Sequence, residues 1–298
     1  MKRSSWLLVL LIAGLAASLT LAQRFSGRGP GRGYSGGQAD RGDLPTWQVD
    51  KEFQHDVFTF VRITHRSGFS GYGGRGFGRG GFGRGGSWMT DFPDADLNFS
   101  YRLHQLTSME VNPDGLVMEL TDPELFNYPF IHINPDDLGG RIFFVLTDEE
   151  VKILRKYLLN GGFLFVTDFW GMDEWQDFHN QMRRVFPDRE PEELTIDHPI
   201  FHCVFDLKKK PQIPAIDIAM RGRSQGITWE RWERSDTREP HYMAYFDDKH
   251  RMVALMAHNC DITDGWEREG DNEWYFHEFS EKQAFPMGIN IVFYAMTH

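Results

Sequence analysis

Apolar positions along this chain follow two rhythms: short runs that are apolar throughout or at every second residue, and longer stretches with apolar residues three and four apart. Asp56 to Thr64 (DVFTFVRIT) is β-branched and aromatic and predicts a first strand. Leu97, Tyr101 and His104 then share one face, with Leu103 and Leu106 nearby, which predicts a helix whose start Asp94 or Asp96 caps. GLVMELT and PFIHI follow as short strands. Thr147 with Glu150 forms a capping box, Val151, Leu154 and Leu158 recur at helical spacing, and Gly161-Gly162 ends that helix. FLFVTDF is almost continuously apolar, as a strand buried on both faces must be. A further helix, from about Asp173 to Val185, turns Trp175, Phe178, Met182 and Val185 inward, and Pro187 closes it. Strand and helix alternating in this way predict an α/β fold, a parallel sheet covered on both faces. HYMAYFDDKHRMVALMAH then reads as a β-hairpin turning at residues 247–250, and FPMGINIVFYAMTH as a packed terminal helix.

The ends and interruptions of this pattern change the picture. Lys2 and Arg3 precede an apolar run from Trp6 to Ala22, with small residues at its end, the pattern of a secretory signal over residues 1–22. An uncleaved N-terminal anchor is the alternative, and no other stretch is apolar enough to span a membrane. Two glycine-rich tracts follow, a linker at 23–43 and a loop at 66–86, inside a body expected to run from 44 to 298. Residues 24–43 and 66–86 carry 18 of the 30 glycines and a net charge of +6, so the remainder holds about −17 of the overall −11. An acidic body repels phosphate, which argues against a nucleic-acid reading of the Arg/Gly/Phe tract. Gly71, Gly73 and Gly76 satisfy GxGxxG only because the tract repeats glycine.

Candidate chemistry is sparse. In parallel sheets ligands bind beyond the carboxyl ends of the strands, and Asp168 falls at such an end with Trp170 beside it. Asp168 reads either as an acceptor or general base with Trp170 as a stacking surface, or as a cap for the following helix. His198 and His202 lie about 13 Å apart on a strand at about 3.3 Å per residue, too far to share an ion, and no third ligand is placed with them. Asp261, Asp264, Gly265, Trp266 and Glu267 read as a loop after the hairpin, either an acidic turn or a calcium site that lacks EF-hand spacing. Cys203 and Cys260 are two thiols or one disulfide, and their spacing suggests neither zinc nor redox work.

Six ordered motifs, DFPDADLNFSYRLHQLTSMEV, LTDPELFNYPFIHI, LTDEEVKILRKYLLNGGFLFVTDFWG, DHPIF, ITDGWE and MGINIVFYAMTH, together resemble the bacterial domain of unknown function family numbered 4159. The resemblance spans roughly residues 55 to 298 and implies a class I glutamine-amidotransferase-like, flavodoxin-like sheet in an envelope setting, with no assigned reaction. By association it also implies MoxR-type ATPases or von Willebrand domain proteins as partners. Working amidotransferases carry a cysteine at a tight strand-to-helix elbow. Here the elbow-like stretch is Asp168, Phe169, Trp170 and Gly171, so amidotransfer by that route is not expected.

The reading that results is an exported, periplasmic or envelope α/β domain with an added β-hairpin, binding a ligand or protein partner without catalysis. Asp168, Trp170, Gly171, His198, Asp264 and Trp266 are its candidate ligand-binding residues, with no cofactor or metal. The alternative is a hydrolase or carbohydrate-active enzyme using Asp168 with His198 or Asp264. Residues 64–67 and Asp168 are expected at one edge of the sheet, with the Gly/Arg loop and its Arg66, Arg75, Arg79 and Arg84 above that edge.

Overall fold

Parallel pairing carries most of the sheet. The computed structural model describes residues 34–35, 38–39, 41–53, 56–65, 87–135 and 144–298, so the signal segment, most of the 23–43 linker and the Gly/Arg loop lie outside the described residues. Seven strands pair in one sheet: β1 (Val61–Thr64), β2 (Leu116–Glu119), β3 (Phe130–Ile133), β4 (Phe163–Val166), β5 (Glu192–Glu193), β6 (His241–Phe246) and β7 (Met252–His258). Their spatial order is β2-β1-β3-β4-β7-β6-β5, parallel from β2 to β7 and antiparallel from β7 to β5. The chain therefore steps from β1 outward to β2, then back across β1 to β3, the strand order of a flavodoxin-like fold. The expected hairpin is present as β6 and β7, but it is no appendage, because β7 pairs directly with β4 as the fifth parallel strand.

Strand side chains divide by parity between two cores. Phe60, Phe130, Phe163 and Phe165 face α1 (Asp94–Leu106) and the C-terminal helices, while Val61, Ile131, Leu164 and Val166 face α2 (Asp148–Leu159) and α3 (Gly171–Val185). All four residues of β4 are buried, which is why that strand lacks polar alternation. The capping box of Thr147 and Glu150 starts α2 in both directions, hydroxyl to backbone N–H and backbone N–H to carboxylate.

Three boundaries differ from the sequence reading, each because a distant segment supplies hydrogen bonds. Neither Asp94 nor Asp96 caps α1; both lie within its first turn, and Asp96 turns instead to Arg62 of β1. Helix α3 begins at Gly171 rather than Asp173, since the N–H groups of Gly171 and Met172 find acceptors in Asn259 and Asp236. The expected acidic loop after the hairpin is helix α5 (Ile262–Glu267), capped by Asp261; α4 (Ile216–Gly222) precedes β6. A single turn at Glu273–Tyr275 and a π-helix at Phe276–Ala284 lead into the terminal helix α6 (Phe285–Thr297). Gly288 of α6 permits the tightest contact of this core: a Cβ there would lie 2.4 Å from Trp266 and 2.6 Å from Phe99.

Candidate functional site

The parallel strands β1, β3, β4 and β7 end at one edge, and hydrogen bonds join the residues leaving three of them. His65, just past β1, donates through Nε2 to the carbonyl of Asn134, just past β3, at 2.7 Å. Asn134 in turn donates to Asp168 Oδ2, past β4, at 3.4 Å. Asp168 and the end of β1 therefore share an edge, beside the reversal between β1 and β3 where open α/β sheets bind ligands.

Asp168 sits at a sharp elbow. Its φ of +64° is left-handed, a conformation aspartate tolerates better than most side chains, and it turns β4 directly into α3. Backbone donors on both sides of Phe169 are engaged. Asp168 N–H bonds the Cys260 carbonyl at 2.9 Å, and Trp170 N–H bonds the buried Glu174 carboxylate, which also pairs with Arg231. Gly171 N–H bonds Asn259 Oδ1 and Met172 N–H bonds Asp236 Oδ2, each at 2.8 Å. Gly171 has φ +78°, and a Cβ there would meet Arg234 Nη2 at 2.9 Å, so glycine lets the 231–239 segment close over the helix start. Arg234 holds Asp236 through two hydrogen bonds of 2.9 and 2.6 Å, and this pairing keeps the Asp236 carboxyl well below the usual carboxylate range.

A buried cation organises the next part of the edge. Arg62, in the middle of β1 and fully buried, pairs with Asp96 on α1 at 2.9 Å and donates to the carbonyls of Trp88 and Thr90 at 3.2 and 3.0 Å. Those two bonds place the turn that carries Asp91, whose φ is +61°. Asp91 meets Asp261 and Asp264 there, with one carboxylate oxygen from each within 4.8 Å of the others. Asp261 caps α5, accepting from Asp264 N–H and Thr263 Oγ1 at 2.9 Å each. Asp264 accepts from Ile216 N–H at 2.8 Å and the Tyr275 hydroxyl at 3.0 Å. The Thr263 hydroxyl also lies beside Asp91, whose Oδ2 is buried without a partner. Burial, then the charge of Asp264, pushes the Asp91 carboxyl up to about 7. Burial, then Asp168, Asp91 and the Asp264 carboxylate, raises Asp261 well above its usual range, and burial raises Asp264 too. Such a trio relieves its repulsion by holding protons or by taking a hard divalent cation, for which oxygens about 4.8 Å apart or less suit metal–oxygen bonds of about 2.4 Å.

The predicted residues divide sharply. Asp168, Gly171 and Asp264 belong to this edge. Trp170 is only 2% exposed and offers no stacking surface, and Trp266 is a core residue stacked on Phe99 at 4.2 Å, its indole N–H donating to Ala284. His198 lies elsewhere, starting the turn at Pro199–Phe201 and packed against Tyr294 of α6. Cys203 and Cys260 are both free thiols; Cys260 is buried under the Tyr242 hydroxyl, and burial pushes its thiol up to about 12. Asp91 and Arg62 were missed by the sequence reading, and Asp261 was noticed only as part of a loop. The spacing Asp261-x-x-Asp264, enclosing Ile262 and preceding Trp266, resembles a capping box and was the available signal.

A family model described as Domain of unknown function (DUF4159) matches residues 77–296. No curated protein matches the chain.

Proposed function

We propose, from the premise that this chain belongs to the Domain of unknown function (DUF4159) family, that it is an exported, amidotransferase-like domain of the cell envelope that binds a ligand or protein partner and does not catalyse acyl transfer. One observation carries the reading. Acyl transfer at such an elbow needs a thiol or hydroxyl nucleophile exposed there. The elbow residue here is the carboxylate of Asp168, and Cys260 lies buried in the thiol form at neutral pH. The N–H groups of Asp168, Trp170, Gly171 and Met172 also have protein acceptors, two of them carboxylates. What the edge offers instead is the half-buried Asp168 carboxylate beside the largely buried Asp91, Asp261 and Asp264 trio, acids suited to a cationic group. A hydrolase built on Asp168 and His198 is disfavoured because His198 packs on α6, and Asp264 already accepts from Ile216 and Tyr275.

Three measurements test the proposal. Intact-mass analysis of the chain from envelope fractions should show the mature form beginning near Gln23. Crosslinking in those fractions should join it to an envelope protein, with a MoxR-type ATPase or von Willebrand domain protein as the partner the family resemblance suggests. Glutamine or ester hydrolysis by the purified chain that Asp168→Asn abolishes would overturn the non-catalytic reading. An intact Met1 in the cytosol would overturn export.

A further inference from the structure

At the outer end of the same edge, a cavity of about 680 Å³ opens beside the start of β6. His241, on its wall, is the first residue of β6 and pairs with His258, the last residue of β7, which fixes the cavity at the edge where the parallel strands end. Its volume lies in the range of small-molecule sites, about 300–1,000 Å³.

The walls are pre-set by one side chain. Gln212, 8% exposed, donates to the carbonyls of Arg238 at 3.0 Å and Asn259 at 3.3 Å, and accepts from Thr228 Oγ1 at 2.9 Å. Three separate segments are thereby fixed around it, two of which carry Arg238 and Trp229. Lys210 and His241 both bond Glu193 Oε1, at 2.8 and 3.0 Å, so these charges are matched within the protein. Lys209 and Arg238 have no carboxylate partner among the described residues, and Glu239 is the only other acid on the wall. Arg238 lies over the Trp229 ring, 5.2 Å from its centroid. Stacking holds a guanidinium as an oriented plate while leaving its edge donors for a bidentate oxyanion. A pair of unmatched cations in a walled cavity stands out on a chain of net charge −11.

We infer that this cavity binds a small organic anion through a carboxylate or phosphate group, with Arg238 as the bidentate contact and Lys209 as a second charge. The inference does not rest on the envelope reading or on the acid trio. Arg238 and Lys209 are both exposed, so binding weakens with salt.

The test uses the purified full-length chain with citrate, glucuronate and inorganic phosphate, against chloride at matched ionic strength. At least one probe should raise the melting temperature by 2 °C or more at about 10 mM, as expected when the probe is some tenfold or more above its Kd. Arg238→Gln should weaken calorimetric binding of that probe at least tenfold and Lys209→Gln about threefold, with melting temperatures of the free variants unchanged. Lys152→Gln, exposed on α2 and not lining the cavity, should bind as the wild type does. A response to phosphate alone identifies a phosphate-bearing ligand, and a response to the organic acids alone a carboxylate. The inference fails if no probe exceeds the chloride control, or if Arg238→Gln binds as tightly as wild type.

Discussion

Replacing Asp91 with asparagine keeps the shape of the side chain and tolerance of a positive φ, while removing the charge. Burial and the neighbouring Asp264 lift the Asp91 carboxyl to about 7 in the folded protein, roughly three units above its usual value. The folded state therefore holds a proton that the unfolded chain has lost, and stability falls as pH rises from about 4 to about 7, then levels off. At about 1.4 kcal/mol per unit the full loss is at most about 4 kcal/mol, of which roughly 3 kcal/mol falls between pH 5 and 8. Urea unfolding in EDTA should show the wild-type midpoint dropping by about 1 M between those two pH values, for an m-value near 3 kcal/mol/M. The Asp91→Asn variant should lose much less, and exceed the wild type at pH 8. Adding calcium or magnesium at pH 8 separates protons from a metal: a cation held by the trio restores the wild type and leaves the variant unchanged. The reasoning is refuted if wild type is equally stable at pH 5 and 8 in EDTA, or if the variant is the weaker protein at pH 8.

Asp96→Asn leaves the buried Arg62 guanidinium without its counter-charge and should cost about 3–5 kcal/mol, whereas Arg62→Met with Asp96→Leu should restore much of it; urea midpoints decide. Gly288→Ala drives a methyl into Trp266 and Phe99 and should destabilise by about 1–3 kcal/mol, with a change in near-UV circular dichroism from the displaced indole. Burial lowers His258 to about 4, so the unfolded chain takes up a proton that the folded one refuses, and stability is lost as pH falls from about 6.5 to about 4. His258→Gln keeps a donor for the Gly171 carbonyl and should flatten that acid limb by up to roughly 3 kcal/mol, as read from thermal melts across pH.

The elements legible in the sequence are those whose signals are local. The capping box at Thr147 and the uninterrupted apolar run of β4 name their own structures, and the alternation around them gives the parallel sheet. Asp168 was placed correctly because the end of a buried strand is also a local feature. What failed was everything decided by a distant partner. Trp170 and Trp266 look like exposed site residues in an acid- and glycine-rich context, yet both are buried, Trp266 against Phe99 of α1 and Gly288 of α6. Asp91 was invisible because its role comes from Arg62 pulling the 88–90 backbone toward β1, and from α5 delivering Asp261 and Asp264 from far along the chain. Asp94 and Asp96 looked like caps for α1, but a buried arginine is a stronger claim on a carboxylate than an orphan backbone N–H.

The contact of Asp236 with the start of α3 makes that carboxylate a tethered occupant of a place where free anions bind in many proteins. A group held on the same chain competes at an effective concentration in the millimolar range or above. Dissolved phosphate or carboxylate at micromolar levels therefore loses that competition, whatever the intrinsic preference of the helix end. The position opens only to something that first lifts residues 231–239 away, and such an agent has to break the Arg231–Glu174 and Arg234–Asp173 ion pairs as well. Access to the elbow is thereby restricted to partners large enough to grip a whole segment, and small metabolites are left to the cavity beyond β6.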